Sequence, residues 1–164
     1  MAATSVAPIA LAQGEGETFW AFSGLTTIKA SGQTTGGRIA IIEQLARQGA
    51  GSPLHVHHRE DEWFYVLEGE LTFWVGGKVI VAPAGSFVFG PRDIPHTFIV
   101  SSLESRFLLG TEPAGFENFI RELSQPALTL TPPPPPTEPP DMEKIVATAA
   151  RYGIEILGPP GIPQ

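Results

Sequence analysis

Three of the four histidines in this 164-residue chain lie within four consecutive positions, and one arginine separates them from three consecutive acidic residues. His55 and His57 are separated by one residue, and side chains along a strand alternate between its two faces, so both imidazoles point to the same side. Glu62 opens an aromatic and β-branched run, Trp63–Val66, which predicts the next strand. The stretch therefore predicts two strands that direct imidazoles and a carboxylate into one interior.

The fourth histidine opens a separate strand-like run. His96 shares a strand face with Phe98 and Val100, so its ring is expected to point inward as well. Three imidazoles and one carboxylate suit a first-row divalent metal, because imidazole binds these ions well and the carboxylate offsets their charge. All four side chains are therefore candidate metal ligands.

Neighbouring residues compete for the same role. Glu60 and Asp61 are rivals for the carboxylate position, and Glu62 is preferred because it is in phase with the inward Phe64. His58 follows His57 on the opposite strand face or in the loop, and we do not expect it to bind the metal. The predicted ligand set is thus His55, His57, Glu62 and His96.

The spacing of these residues resembles a known family pattern. Gly49-x5-His55-x-His57-x4-Glu62-x6-Gly69 resembles the first cupin motif, and Gly85-x5-Pro91-x-Asp93-x2-His96 resembles the second. The second motif has Asp93 where the family usually has glycine, and Val100 where it usually has asparagine. Asp tolerates a left-handed turn conformation better than most residues, so the first departure is mild.

The resemblance also implies a fold, a cofactor and a function. It implies a cupin-type jelly-roll β-barrel, an all-β fold, that holds one divalent transition metal: iron, manganese, nickel, cobalt, copper or zinc. Weaker similarity in the segments 35–37, 114–116 and 152–161 resembles single-domain bacterial cupins of the quercetin dioxygenase-like kind. A homodimer is a further implication of this resemblance.

Composition excludes several other classes. The formal charge of −7 argues against a nucleic-acid partner and gives no reason to expect an anionic membrane surface. The chain has no cysteine, which excludes disulfides, thiolate metal sites and a cysteine nucleophile. The start of the chain has an Ala-x-Ala sequence ending at Ala12, which resembles a signal-peptide cleavage site. It has no basic residue near its beginning, however, and Pro8 interrupts its apolar part. We therefore expect residues 1–14 to be a disordered tail, and the protein to be cytoplasmic.

The barrel is expected over about residues 18–112, as nine or ten strands with no helix among them. Turn composition separates the strands at short, even intervals, which is typical of an antiparallel sandwich or barrel. Ser31–Gly37 is expected to be a turn, and Gly76-Gly77 a two-residue hairpin loop. The core is expected to take most of the aromatic residues, namely Phe64, Phe73, Trp74, Phe87, Phe89 and Phe98.

The remainder, residues 113–164, has a different pattern. Apolar residues recur at helical spacing from Phe116 to Leu123, and Asp141 is a plausible N-cap for a second helix that stops near Gly153. Between them, residues 131–140 are proline-rich and predict an extended connector. We expect both helices to pack outside the barrel or over its mouth, as a lid or as simple packing, so that residues 15–164 form one domain.

Three functions remain open from the sequence. The first is a metal-dependent dioxygenase of quercetinase-like type that acts on a small aromatic or enolisable substrate and O₂, with Glu62 as ligand or general base. The second is a non-catalytic metal-containing module that binds a small ligand. The third is a metal-dependent isomerase or decarboxylase. A fold hosts many functions, so the substrate is not encoded in these motifs.

Overall fold

The computed structural model describes residues 6–164, and that part of the chain forms twelve strands and three helices. In chain order these are β1 (Glu17–Ala21), β2 (Gly24–Ala30), α1 (Gly32–Thr35), β3 (Ala40–Arg47), β4 (Pro53–His57), β5 (Asp61–Glu68), β6 (Glu70–Val75), β7 (Lys78–Pro83), β8 (Phe87–Gly90), β9 (His96–Val100), β10 (Glu104–Glu112), α2 (Phe116–Leu123), β11 (Gln125–Pro126), α3 (Met142–Arg151) and β12 (Ile154–Pro160).

The strands form two antiparallel sheets that face each other. One has the order β11-β1-β2-β3-β10-β5-β8, and the other has the order β12-β4-β9-β6-β7. Strand alternation sends one side of each sheet inward, as in β5, where Glu62, Phe64 and Val66 are buried and the residues between them are more exposed. The predicted all-β jelly-roll barrel with two C-terminal helices is confirmed.

One end of the barrel is filled with aromatic side chains. Phe64, Phe73, Phe98 and Phe107 are buried, and the ring of Phe98 lies within 6 Å of each of the other three. The prediction of a core position was wrong for Phe87 and Phe89, which are 62% and 49% exposed. Val88 and Gly90 are the residues of β8 that face inward, so the two phenylalanines lie on the outer surface.

The turns follow the expected chemistry, with one correction. Gly76 and Gly77 both have positive φ and join β6 to β7, as predicted. The expectation of no helix among the barrel strands was wrong, because Ser31 starts a single helical turn, α1. The side chain of Thr34 accepts a hydrogen bond from the Ser31 backbone, a local capping interaction that favours a helical turn over an open one.

The C-terminal region forms its two helices where they were predicted. The Asp141 side chain caps α3 by accepting a hydrogen bond from the backbone of Lys144. The sequence analysis did not predict β12, which pairs with β4 over the register Ile154↔His57 and Ile156↔His55. The strand that carries two histidines therefore lies between β12 and β9.

The predicted N-terminal tail, residues 1–14, falls partly outside the described residues, which begin at 6. Residues 6–12 are exposed and belong to no helix or strand. The ammonium of Lys29 donates to the backbone oxygens of Ala12 and Glu15, which holds the end of this segment against β2. Among the helices of residues 6–164, none combines the length and the apolar character needed to cross a membrane.

Candidate metal centre

Two adjacent strands of one sheet and one strand of the facing sheet bring the four predicted ligands together. His55 and His57 lie on β4, Glu62 on β5 and His96 on β9, and all four side chains are buried. Each offers one ligand atom, and these atoms all lie within 4.8 Å of one another. The Nε2 atoms of His55 and His57 are 3.1 Å apart, and Oε2 of Glu62 lies 2.7 Å from Nε2 of His96.

Hydrogen bonds on the far side of each ring orient the imidazoles. Nδ1 of His55 lies 2.8 Å from the Pro53 carbonyl, and Nδ1 of His96 lies 3.0 Å from the Ile94 carbonyl. A carbonyl oxygen only accepts, so both Nδ1 atoms donate, and both Nε2 atoms face the centre of the cluster. Backbone carbonyls in this position are the usual partners of metal-binding histidines.

The third ring has a carboxylate partner instead. Nδ1 of His57 lies 3.0 Å from Oε1 of Glu60, whose side chain is itself buried. The sequence analysis weighed Glu60 as a rival ligand, but the structure places it behind His57 and outside the group of ligand atoms. A carboxylate three residues after a strand histidine was the available sequence signal for this supporting role.

The electrostatics of the cluster are those of a site that attracts a cation. Burial, together with the nearby rings of His96 and His57, lowers the pKa of His55 to about 3. Burial also acts to lower the pKa of His57, but the carboxylates of Glu62 and Glu60 outweigh it and raise that pKa to about 9. In Glu62, burial acts to raise the pKa, but His57 and His96 hold it well below its usual range.

These residues fit a divalent transition metal. Three Nε2 atoms and one ionised carboxylate converge in a buried space, and no backbone group is needed to complete the set. Without a cation, the close approach of His55 and His57 requires a proton between two ring nitrogens, and a metal ion would replace that proton. Four protein ligands leave one or two positions open on a five- or six-coordinate ion.

Other charged residues near the motif lie outside the cluster. The two ring nitrogens of His58 lie 2.6 Å from Asp93 and 3.1 Å from Glu155, on the exposed surface. Asp61, the other rival, binds the guanidinium of Arg92. Asp93 has a φ of 65°, so it adopts the left-handed conformation for which the family pattern usually has glycine.

The sequence analysis did not single out Thr111, which lies directly opposite Glu62 across the β5–β10 pair. Residues opposite one another share a strand face, so both side chains point into the barrel. Thr111 is fully buried, and its hydroxyl has no hydrogen-bond partner among the described residues. The sequence signal that could have identified Thr111 is a polar residue at an inward-facing position of a barrel strand.

The metal centre opens into an apolar cavity of about 390 Å³. His55 and Glu62 lie in its wall, with barrel residues such as Phe98 and Leu109 beside them. The opposite wall comes from α2, α3 and the connector, through residues that include Phe116 and Ile145. The ring of Phe116 lies 5.3 Å from that of His57, so α2 reaches the centre itself. The C-terminal region therefore covers the barrel mouth, one of the two positions expected for it.

Comparison with known proteins supports the same architecture. Residues 42–109 match the cupin domain family. The chain is 29% identical over 119 residues, or 73% of its length, to a quercetin 2,3-dioxygenase from Bacillus subtilis (strain 168), and this match spans 35% of that relative.

Solved structures show the fold. An RmlC-like cupin from Shewanella frigidimarina is similar with a TM-score of 0.57 and 18% identity, over 68% of this chain and 96% of that one. A predicted oxalate decarboxylase from Thermotoga maritima is similar with a TM-score of 0.52 and 22% identity, over 55% of this chain and 80% of that one. The barrel of this chain therefore has the fold of these cupins, and its residues 42–109 are similar to the cupin domain family.

Proposed function

We propose that this protein is a metal-dependent dioxygenase of quercetinase-like type that acts on a small aromatic or enolisable substrate. The observation that carries the proposal is the position of the cluster of His55, His57, Glu62 and His96 at the wall of an apolar cavity. The similarity to a quercetin 2,3-dioxygenase supports it, although the chain spans only about a third of that relative.

The charge of the cavity favours a neutral substrate. Among the described residues that line it, none is a lysine or an arginine, and the lining histidine, His55, is neutral at physiological pH because its pKa is about 3. A carboxylate or phosphate group of a substrate, placed in this cavity away from the metal centre, would lose its water without gaining a cationic partner, which is energetically costly. A cavity of about 390 Å³ lies within the range that accepts small organic molecules. Neutral, mostly apolar molecules therefore fit best.

His55, His57, Glu62 and His96 would hold the metal. A divalent ion bound there would supply a Lewis acid that lowers the pKa of a substrate hydroxyl. The chain's own contribution is to orient the substrate and receive its proton. Phe98, Phe116 and Phe119 line the cavity and exclude water from it, which strengthens every electrostatic interaction inside.

Glu62 is the proposed proton acceptor. Its low pKa depends on a protonated His57 nearby, and a ligand histidine must be neutral. The cation that replaces the His57 proton would itself keep Glu62 ionised, so Glu62 would accept the substrate proton only after its carboxylate moves off the metal. Glu62 therefore has two assigned roles, as ligand and as acceptor of the proton that the substrate hydroxyl loses.

Oxygen uptake tests the proposal. Protein loaded separately with iron, manganese, nickel, cobalt, copper or zinc is incubated with flavonols and other enolisable aromatic compounds, and O₂ consumption is followed with an electrode. We expect at least one redox-active form to consume O₂ in proportion to substrate, and Glu62→Gln to lose most of this activity. If no loaded form consumes O₂ with any compound, the dioxygenase proposal is wrong.

One observation favours a second candidate, a ligand-binding module without catalysis. Glu62 is the only buried carboxylate in the described cavity wall, so no second base is placed beside the metal centre. Such a module would show a ligand-induced rise in melting temperature without consumption of the ligand. Product formed under nitrogen would instead identify an isomerase or a decarboxylase.

We also propose that the protein is a homodimer joined at the edge strand β8. Phe87 and Phe89 are exposed on this strand, and Tyr65, which lies opposite Phe87, is 40% exposed. Copies that each carry a charge of −7 repel one another, and this uncharged aromatic face is a place where they can meet. A two-fold axis would pair the two faces and the open strand edges.

Molar mass in solution tests the dimer. Light scattering after gel filtration is expected to give twice 17.5 kDa for the unmodified protein and a monomer for Phe87→Glu. Leu103→Glu is the matched control, because Leu103 is 83% exposed and lies in the short connection between β9 and β10. A monomeric unmodified protein would contradict the proposal.

A further inference from the structure

One polar side chain interrupts the inward face of β3. The inward residues of this strand are Ala40, Ile42, Gln44 and Ala46, and all four are buried. Three are apolar, as the wall of a barrel requires, whereas Gln44 places an amide among them at 6% exposure. A buried amide is unfavourable unless its hydrogen bonds are made, so the side chain of Gln44 is expected to have hydrogen-bond partners.

Within the described residues, only one of the hydrogen-bonding groups of the Gln44 amide has a partner. Its Nε2 donates to Oγ1 of Thr26 on β2, at 3.3 Å. A glutamine amide has two N–H groups and a carbonyl oxygen with two lone pairs, and this is the one side-chain bond that Gln44 makes within residues 6–164. The remaining N–H and the carbonyl are available to a ligand.

Gln44 also lies in the wall of the cavity that contains His55 and Glu62. Among the described lining residues it is the only one with a side-chain amide. Ser52, another polar lining residue, already shares a hydrogen bond with Thr97. Ser124 also lines the cavity, with a buried hydroxyl that has no partner among the described residues. Gln44, however, lies on the barrel wall and offers two separate groups, an N–H and a carbonyl, to an uncharged part of a ligand.

We propose that Gln44 determines specificity by hydrogen bonding to a second, uncharged hydroxyl or carbonyl of the substrate, away from the oxygen at the metal centre. This inference rests on the proposed function, because it assumes that the cavity of the metal centre is the substrate site. It narrows the substrate class to neutral aromatic molecules with two separate polar groups: an enolic or phenolic oxygen for the metal, and a hydroxyl or carbonyl for Gln44.

The experiment measures binding rather than turnover. Zinc-loaded protein is titrated with 3-hydroxyflavone and with its 4′-hydroxy and 7-hydroxy derivatives, because zinc has no redox chemistry and leaves the ligand intact. Trp20 lines the cavity, so its fluorescence reports occupancy. The quantity of interest is the ratio of the dissociation constant of 3-hydroxyflavone to that of each hydroxylated derivative.

In the unmodified protein we expect this ratio to reach about ten for at least one derivative, the value of one good hydrogen bond. Gln44→Leu should bring the ratio to about one while it changes the affinity for 3-hydroxyflavone by less than about twofold. Gln48→Leu is the matched control, because Gln48 is exposed and lies outside this cavity, and it should preserve the ratio. If the leucine variant does not fold, Gln44→Met, which is unbranched and of similar length, gives the same test.

The outcomes separate the two proposals. A ratio unchanged in the Gln44 variant overturns the specificity role, and so does an equal loss of affinity for all three compounds, which would indicate a structural role for the bond to Thr26. Absence of binding of all three compounds overturns the substrate class. Binding with the expected ratio, but without O₂ uptake by any redox-active form, leaves the role of Gln44 intact and contradicts the dioxygenase.

Discussion

The metal centre and the cavity wall come from very different lengths of chain. The four proposed ligands lie between His55 and His96, whereas the lining of the cavity extends from Trp20 to Pro160. The directions of the ligand side chains depend on strand alternation and on backbone carbonyls within two residues of His55 and His96. The wall depends on how helices and a connector far along the chain pack over the barrel. The chemistry of the site is thus a local property of the sequence, and its selectivity is a property of the whole fold.

The first prediction separates the two regions by removing a ligand. His96→Ala should abolish bound metal, because three remaining donors bind more weakly and leave a buried carboxylate without its 2.7 Å partner. Elemental analysis of protein purified without chelators should give about one metal per chain before the change and close to none after it. The loss of metal should also lower the melting temperature, since bound metal stabilises the folded state.

His58→Ala is the control for this change. His58 is a histidine of the same motif, but it lies on the surface with Asp93 and Glu155. This variant should keep its metal. Equal metal content in the two variants would show that the cluster does not bind the ion.

The second prediction disturbs the C-terminal wall instead. Phe119 is 4% exposed and packs against Phe22, Phe116 and Tyr152. Phe119→Ala should lower the free energy of unfolding by about 3–5 kcal/mol, because it removes a buried ring and leaves a cavity. Urea denaturation measures this change, and the folded protein should still contain one metal.

Leu128→Ala is the control in the same region. Leu128 is 82% exposed, so its replacement should change the free energy of unfolding by no more than about 0.5 kcal/mol. If folded Phe119→Ala lost its metal, the separation between centre and wall would fail.

The third prediction concerns the residue behind a ligand. Glu60→Ala should weaken metal binding by about 10–100-fold, because His57 loses the carboxylate that fixes its tautomer and ring orientation. Competition with a chelator of known affinity measures the change. Asp61→Ala, the adjacent carboxylate, which binds Arg92 on the surface, should have little effect. Equal affinities in the two variants would contradict the supporting role of Glu60.

The fourth effect is the pH dependence of metal binding, which is the smallest when it is counted per pH unit. His57 keeps its proton up to a pKa of about 9, and metal must displace that proton. The proton competes less as pH rises, so the apparent affinity should increase by up to about tenfold per pH unit up to about pH 9. Chelator competition at several pH values, corrected for protonation of the chelator, tests this. If the affinity did not change over this pH range, His57 would already be neutral before the metal binds.

Much of the barrel could be predicted because its signals are short in range. Strand periodicity predicts that His55 and His57 share one face of β4, and that Glu62 shares the inward face of β5 with Phe64. The sequence did not reveal β12, because Ile154–Pro160 contains the sequence Gly-Pro-Pro and resembles a coil until β4 provides a partner. The exposed Phe87 and Phe89 were missed because apolar character was taken as burial, whereas the phase of β8 decides which face is inward.

The residues that surround the candidate ligands were harder to predict. Glu60 supports His57 only after the chain between β4 and β5 brings its carboxylate to Nδ1, and Thr111 faces Glu62 only after β5 pairs with β10. Gln44 is an ordinary polar residue until the sheet orients it inward among Ala40, Ile42 and Ala46. Its significance depends on a cavity that residues from the C-terminal region enclose.

The pairing of β12 with β4 has a consequence for how the protein folds. Ile156 and His55 are about a hundred residues apart, and contacts of such separation form slowly because a long loop must first be closed. The strand that holds two imidazoles gains its second neighbour only at that step. Metal uptake during refolding should therefore lag behind the formation of most of the β-structure, and stopped-flow mixing with a metal-sensitive dye would resolve the two phases.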